Sequence, residues 1–89
     1  MKSFLISFKL KEHSSYDKVS AILRSFPKWA CIMENVWIVC SDEKLVDIRE
    51  KVCSAMNGQG VVAVLNVSGN PWGTYAVTKE VTDWMKENV

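Results

Sequence analysis

The stretch "WACIMENVWIVC", residues 29–40, decides the fold of this 89-residue chain. Two short runs rich in aromatic and β-branched residues flank Glu34 and Asn35, and asparagine tolerates a positive φ better than most residues. The pattern therefore predicts a tight β-hairpin. Segments with helical spacing of apolar residues precede and follow it, so the hairpin lies at the centre of an α-β-β-α order.

One further strand is predicted on each side of this centre. Residues 2–11 alternate between an apolar face that includes Phe4, Ile6 and Phe8 and a mixed face that ends in lysines. The run "VVAVLNV", residues 61–67, is the most uniformly apolar segment and predicts the fourth strand. The order β-α-β-β-α-β is that of a ferredoxin-like α+β domain, in which both helices cover one face of a four-stranded antiparallel sheet. Residues 72–77 predict a short fifth strand, and a terminal helix follows it.

Capping signals predict the helix boundaries. The predicted caps are Ser14 or Ser15 for the first helix, Ser41 for the second and Thr78 for the third. Asp17 stands at a capping-box position relative to Ser14. Pro27 and Asn57-Gly58 are expected to end the first two helices.

Composition narrows the class of protein. The net charge is +1, and 24% of the residues are charged, as in ordinary soluble domains. We therefore expect one cytoplasmic domain, residues 1–89, without a membrane segment. Three cysteines without C-x-x-C spacing predict neither a disulfide framework nor a zinc site. No cofactor, metal or small-molecule substrate is indicated.

The predicted sheet has apolar residues on both faces, although helices cover only one of them. A homodimer that packs sheet against sheet, with the fifth strand pairing onto the partner's sheet edge, would cover the second face. The alternative is cover within the chain by residues 72–89. The side chains expected at the dimer interface are Leu5, Trp37, Val39, Val62, Val64 and Trp72.

Several stretches resemble a known group of proteins. "KSFLISFKL" at the start, "FPKWACIMENVWIV" across the hairpin, "LVDIREKV", and "VVAVLNVSGNPWGTYA" followed by "VTDWM" resemble the small bacterial proteins labelled SinR-like. These are related to the CRISPR-associated Cas-two endonuclease family, and the GhoS-type antitoxin ribonuclease shares their fold. The resemblance implies a ferredoxin-like fold, a symmetric homodimer and, in some members, metal-dependent cleavage of RNA or DNA.

The resemblance fails at the residue that would bind the metal. Members with nuclease activity typically carry Tyr-Asp at the end of the first strand, where this chain has Phe8 and Lys9. An aspartate there would be a hard oxygen ligand for Mg²⁺, whereas the ammonium of lysine would repel the cation. Two ammonium groups near a dimer axis would still attract a phosphate backbone. Binding without cleavage is the simpler expectation, and no catalytic residue is identified.

A nucleic-acid contact is expected to use basic side chains near the end of the first strand and the first crossover. These are Lys9, Lys11, Arg24 and Lys28. The alternative is that they only solvate a strand end. His13 is interpreted as a solvated loop residue rather than a general acid or base.

The sequence therefore predicts a Cas-two-like homodimeric protein that acts as a non-catalytic scaffold or a weak nucleic-acid-binding module. Two alternatives stay open. One is an endoribonuclease of the toxin–antitoxin, GhoS-like kind, and the other is a protein-interaction module.

Overall fold

The chain folds into one four-stranded sheet and three α-helices, and the computed structural model describes all 89 residues. The elements are β1 (Lys2–Leu10), a 3₁₀ turn (His13–Ser15), α1 (Tyr16–Arg24), β2 (Lys28–Met33), β3 (Val36–Ser41), α2 (Leu45–Ala55), β4 (Gly60–Asn66) and α3 (Lys79–Asn88). The strand order is β2-β3-β1-β4, and every neighbouring pair of strands is antiparallel. This order and topology confirm the predicted ferredoxin-like α+β fold. None of the helices has both the length and the apolar composition needed to span a bilayer.

Helices α1 and α2 cover one face of the sheet, which we call the inner face. The alternation predicted for β1 is confirmed, since Phe4, Ile6 and Phe8 are almost fully buried there. Residues directly opposite each other in an antiparallel pair lie on the same face. The core on this face consists of Phe4, Ile6, Phe8, Val19, Leu23, Phe26, Trp37, Val39, Ile48, Val52 and Met56.

The register corrects the side assigned to four of the expected interface residues. Trp37 lies opposite Ile6, and Val39 opposite Phe4, so both point to the inner face. Val62 and Val64 pair with Phe8 and Ile6 in the same way. The prediction that these four side chains lie on the uncovered face is therefore wrong. Alternation along one strand fixes which residues share a face, but the pairing register decides which face that is.

The hairpin joins β2 and β3 through Glu34 and Asn35, as predicted, but its turn differs from the expectation. Asn35 keeps a negative φ. A register shift between Cys31 and Met33 accommodates the turn instead. The indole nitrogen of Trp37 donates to the carbonyl oxygen of Glu34 at 3.2 Å, which fastens the turn to the core.

The predicted caps of the first two helices do not form. Ser15 is the N-cap of α1 but makes no side-chain cap hydrogen bond. Helix α2 begins later than expected, with Lys44 at its N-cap, because Ser41 accepts from the backbone of Glu43 at 3.0 Å in the preceding turn. The cap on α3 is confirmed, since Thr78 accepts from the backbone nitrogen of Val81 at 3.3 Å.

The C-terminal segment crosses the other face of the sheet, which we call the outer face. Helix α3 packs against β2, and Met85 is only 4% exposed. The thiol of Cys40 contacts the carbonyl oxygen of Asn88 at 3.7 Å. No fifth strand forms over residues 72–77, which are irregular and include Ala76 at a φ of 61°. The alternative of cover within the chain therefore holds for the β2 and β3 half of the outer face.

Candidate functional site

The end of β1 is the place where the resemblance implies a metal-binding carboxylate. Lys9 is exposed there, beside a shallow cavity lined in part by His13, Tyr16, Glu34 and Asn35. Glu34 is the only carboxylate in this lining, and its oxygen lies 3.9 Å from Nδ1 of His13, whose side chain is more exposed than that of Glu34. Nowhere in the chain do three His, Cys, Asp or Glu side chains gather as a metal site requires. The residues at the end of β1 do not fit a metal centre.

The four basic residues expected to bind nucleic acid do not form one patch. Lys28 lies opposite Cys40, which on its other side faces Ser3, so Lys28 is level with Ser3. At about 3.3 Å per residue, Lys9 is roughly 20 Å further along the sheet. Helix α1 starts near the end of the sheet that carries Lys9 and runs back along the sheet. Arg24, at the end of α1, therefore lies near Lys28. The prediction of a single patch is wrong because Lys9 and Lys11 lie at one end of the sheet and Arg24 and Lys28 at the other.

Acidic residues at the start of α2 serve local ion pairs. Glu43 contacts Nζ of Lys51 at 2.6 Å, and Asp42 lies 3.6 Å from the N-terminal ammonium. These contacts tie the β3–α2 turn to α2 and to the start of β1.

Two of the three thiols are held in their protonated form. Burial raises the pKa of Cys31, and the neighbouring carboxylate of Glu34 raises it further. Burial also raises the pKa of Cys40, although Lys28 and the N-terminal ammonium act in the opposite direction. Neither thiol therefore has the lowered pKa of a catalytic nucleophile.

The uncovered half of the outer face belongs to β4. Val61 is 68% exposed and Leu65 is 51% exposed, and Ala63 between them is also exposed. We call Val61, Ala63 and Leu65 the β4 strip. They lie opposite Lys9, Ser7 and Leu5 of β1, on the outer face, and none of them lines the cavity between the sheet and α3.

Strand β4 is also an open edge of the sheet. Val67 donates to Ser3, and Lys11 donates to Gln59, so the odd-numbered residues direct their backbone groups toward β1. The backbone N–H and C=O groups of Val62, Val64 and Asn66 consequently point away from the sheet. No charged residue and no proline interrupts this strand.

The loop before α3, residues 67–78, arches over the outer face, and we call it the C-terminal arch. Between the arch, α3 and the sheet lies an apolar cavity of about 430 Å³, the outer cavity. Leu5 and Trp72, the two other expected interface residues, both line it. They lie on the outer face as predicted, although they face a cavity within the chain.

The tryptophans do not form a stacking platform for bases. Trp29 and Trp37 pack against each other with ring centroids 5.5 Å apart and ring planes tilted by 37°, at the β2 edge of the inner face. Trp29 is 38% exposed, whereas Trp72, which is 36% exposed, lies on the outer face. The two most exposed indoles therefore lie on opposite sides of the sheet.

The β4 strip is the feature that sequence reasoning missed. Its residues belong to the uniformly apolar run 61–67, in which alternation gives no indication of which face is covered. One available signal was the absence of charge and proline along that run, which is unusual for an edge strand.

Comparisons with known proteins support the fold. The sequence matches no family model and no curated protein. The crystal structure of a hypothetical protein TT1823 from Thermus thermophilus is similar, with a TM-score of 0.67 and 16% sequence identity. The match covers 86% of this chain and 94% of that chain. At this identity the likeness establishes the fold alone.

Proposed function

We propose that the protein is a non-catalytic assembly module in which two copies associate through the open edge of β4. The observation that carries the proposal is the combination, on one strand, of unpaired backbone groups and an exposed apolar strip. Edge strands of this kind are templates for pairing with another chain, and monomeric proteins usually interrupt them. The relation to the Cas-two family, as the sequence predicts it, is part of the same proposal.

The two edges of the sheet differ in how they are protected. Strand β2 carries a lysine, Lys28, and an irregularity between Cys31 and Met33, and α3 packs beside it. Strand β4 has none of these devices. The contrast favours β4 as the edge that pairs.

The β4 strip can pair with itself around a twofold axis. If Ala63 of each copy lies at the axis, the outward backbone groups of Val62 face those of Val64 in the partner strand. On the outer face, Val61 of each copy then contacts Leu65 of the other copy. Because β4 carries no charged side chain, this register brings no like charges together.

The experiment is sedimentation equilibrium on the native protein and on two matched variants. Leu65→Lys places a charge in the β4 strip, and Val46→Lys places the same charge at an apolar residue of α2 that is 44% exposed. We expect the native protein and Val46→Lys to approach twice the 10.1 kDa chain mass as concentration rises, whereas Leu65→Lys stays near the mass of one chain. A native protein that remains a single chain at every concentration would refute the proposal, and so would a dimer that Leu65→Lys leaves intact.

Weak nucleic-acid binding is a secondary part of the proposal, and one observation favours it. Lys9 lies opposite Val61 on the outer face, so an association through β4 would carry two copies of Lys9 in one assembly. The endoribonuclease alternative has no comparable support, since His13 has only the distant Glu34 as a partner.

Fluorescence anisotropy with a labelled single-stranded oligonucleotide at several salt concentrations tests this part. Because contacts to phosphate weaken with salt, the double substitution of Lys9 and Lys11 by alanine should lower the affinity and flatten the salt dependence. The matched double substitution of Arg24 and Lys28, at the other end of the sheet, should have little effect. Equal losses in both variants would mean that the Lys9 end has no special role.

A further inference from the structure

The outer cavity is the most enclosed apolar space in the molecule. The sheet forms its floor, and α3 and the C-terminal arch form its walls. Its volume of about 430 Å³ falls within the range of small-molecule sites, which is roughly 300–1,000 Å³. Its lining includes Leu5 and Ile32 of the sheet, Asn70, Thr74 and Val77 of the arch, and Met85 of α3.

The chemistry of this lining selects for an uncharged occupant. Eleven of its 15 residues are hydrophobic, and none has a charged side chain. An ion entering such a site would lose its hydration without gaining a partner. The polar groups available are those of the arch, including the amide of Asn70 and the hydroxyl of Thr74. By contrast, the cavity at the end of β1 includes Lys9, His13 and Glu34.

The arch is fastened at both ends without closing onto the sheet. At its start, the backbone nitrogen of Ser3 donates to Oγ of Ser68 at 2.8 Å, and Val67 donates to the carbonyl oxygen of Ser3. At its end, Thr78 caps α3. Between these points Ala76 holds a φ of 61°, a conformation that costs a residue with a Cβ atom about 1–2 kcal/mol. The chain thus maintains a strained arch over an apolar floor, and Tyr75 on the arch is 95% exposed.

We propose that the outer cavity is a binding site for a neutral, predominantly apolar small molecule, with a hydrogen-bonding group directed at Asn70 or Thr74. The site goes beyond the proposed assembly function, because its floor is β1, β3 and β2, whereas association uses β4. A small molecule is a better candidate for this cavity than a second copy of the chain. The arch and α3 already enclose the cavity, and a second copy would find a more exposed apolar surface on the β4 strip.

A pair of dyes that differ in charge tests the proposal. N-phenyl-1-naphthylamine is neutral, and 1-anilinonaphthalene-8-sulfonate has the same aromatic groups with an added sulfonate. Titration of the full chain should give saturable binding of one neutral dye per chain, detected by its fluorescence. We expect the anionic dye to bind at least ~10-fold more weakly, because no cationic side chain lines the cavity. Equal affinity for the two dyes would overturn the proposal.

Variants that fill the cavity locate the site. Ile32→Trp should fill the cavity from β2, and Val77→Trp should fill it from the arch. Thermal melting checks that each variant folds, and the use of two variants means that the test does not depend on either one alone. Each folded variant should weaken binding of the neutral dye ~10-fold, a loss of about 1.4 kcal/mol of binding free energy. Unchanged binding in both variants would overturn the proposal.

Leu65→Lys separates this site from the assembly surface. It should abolish association yet leave dye binding unchanged, because Leu65 does not line the cavity. If the native protein instead loses the dye as it associates, the occupant is a side chain of a second copy, and the small-molecule site is refuted.

Discussion

Ala76 carries a conformational cost that the rest of the arch must offset. Its φ of 61° lies in the left-handed region, where glycine is favoured because it lacks a Cβ atom. The position follows Tyr75, which is almost fully exposed, and precedes the cap of α3. The strain therefore sits at the point where the arch turns into the helix.

Replacing Ala76 with glycine should raise the free energy of unfolding by ~0.5–1 kcal/mol, because the relieved strain exceeds the added freedom of the unfolded chain. The control is Ala21→Gly in the exposed part of α1, where the same substitution should lower stability by ~0.5–1 kcal/mol. Urea denaturation of the two variants checks the opposite signs. A loss of stability in Ala76→Gly would mean that the arch is not strained there.

Stability should fall in alkaline solution because folding raises the pKa of three groups. Burial raises the pKa of Cys31, Cys40 and Tyr16, so the folded state holds these protons more tightly than the unfolded state. The resulting contribution to the free energy of unfolding is fully present below the ordinary thiol pKa of about 8.5. It is lost as the pH rises through the pKa values of these groups in the folded state. Chemical denaturation between pH 7 and pH 11 measures the decline.

The double substitution of Cys31 and Cys40 by alanine provides the control for this decline. In this variant the stability should no longer decline from the ordinary thiol pKa upward. The decline at higher pH that comes from Tyr16, whose ordinary pKa is about 10, should remain. An identical decline in the variant and in the native protein would remove the thiols from the explanation.

At the scale of elements, local patterns predict the order of the four strands and three helices, but they wrongly add a fifth strand and leave the choice of face open. The alternation of β1, the two-residue turn and the end of α2 at Asn57-Gly58 are local patterns, and each appears in the structure. The face of Trp37 depends on its pairing with Ile6, which is a tertiary contact between strands. A shift of one residue in the register would have placed Trp37 on the outer face, which is the face that the sequence analysis predicted for it.

The candidate site shows the same division between local and tertiary information. Leu5 lies on the predicted face because the alternation of β1 is visible in the sequence. Trp72 also lies on the outer face, but it belongs to the irregular arch and not to the predicted fifth strand. The separation of Lys9 from Lys28 follows from the predicted topology rather than from a local pattern. Strands β1 and β2 are parallel, so the end of β1 and the start of β2 lie at opposite ends of the sheet. The outer cavity is lined by residues from four elements and the arch, so no single sequence motif predicts it.

Helix α3 should contribute substantially to stability through its contact with the outer face. Met85 is 4% exposed, and truncating it to alanine should cost ~2–4 kcal/mol. The matched control is Met33→Ala, where the side chain is 53% exposed and the change should stay within ~0.5 kcal/mol. Thermal and urea denaturation compare the two. Similar small losses would indicate that α3 packs only loosely on the sheet.

At the scale of the whole molecule, cover of the sheet is uneven. Two helices bury the inner face, and α3 with the arch covers the β2 and β3 half of the outer face, which leaves the β4 strip to solvent. A chain of 89 residues buries only roughly 60–65% of its unfolded surface, so additional burial by association would be a sizeable gain. The proposed association would therefore cover the exposed apolar strip of β4 with a second copy of the chain.

Amide hydrogen exchange at several protein concentrations tests this claim most directly. Association through β4 would give hydrogen-bond partners to the outward N–H groups of Val62, Val64 and Asn66. We expect exchange at these amides to slow as concentration rises, whereas the outward amides of the opposite edge, Trp29 and Cys31, exchange at an unchanged rate. Unchanged exchange along β4 at concentrations where the mass has doubled, or slowing confined to β2, would contradict the account.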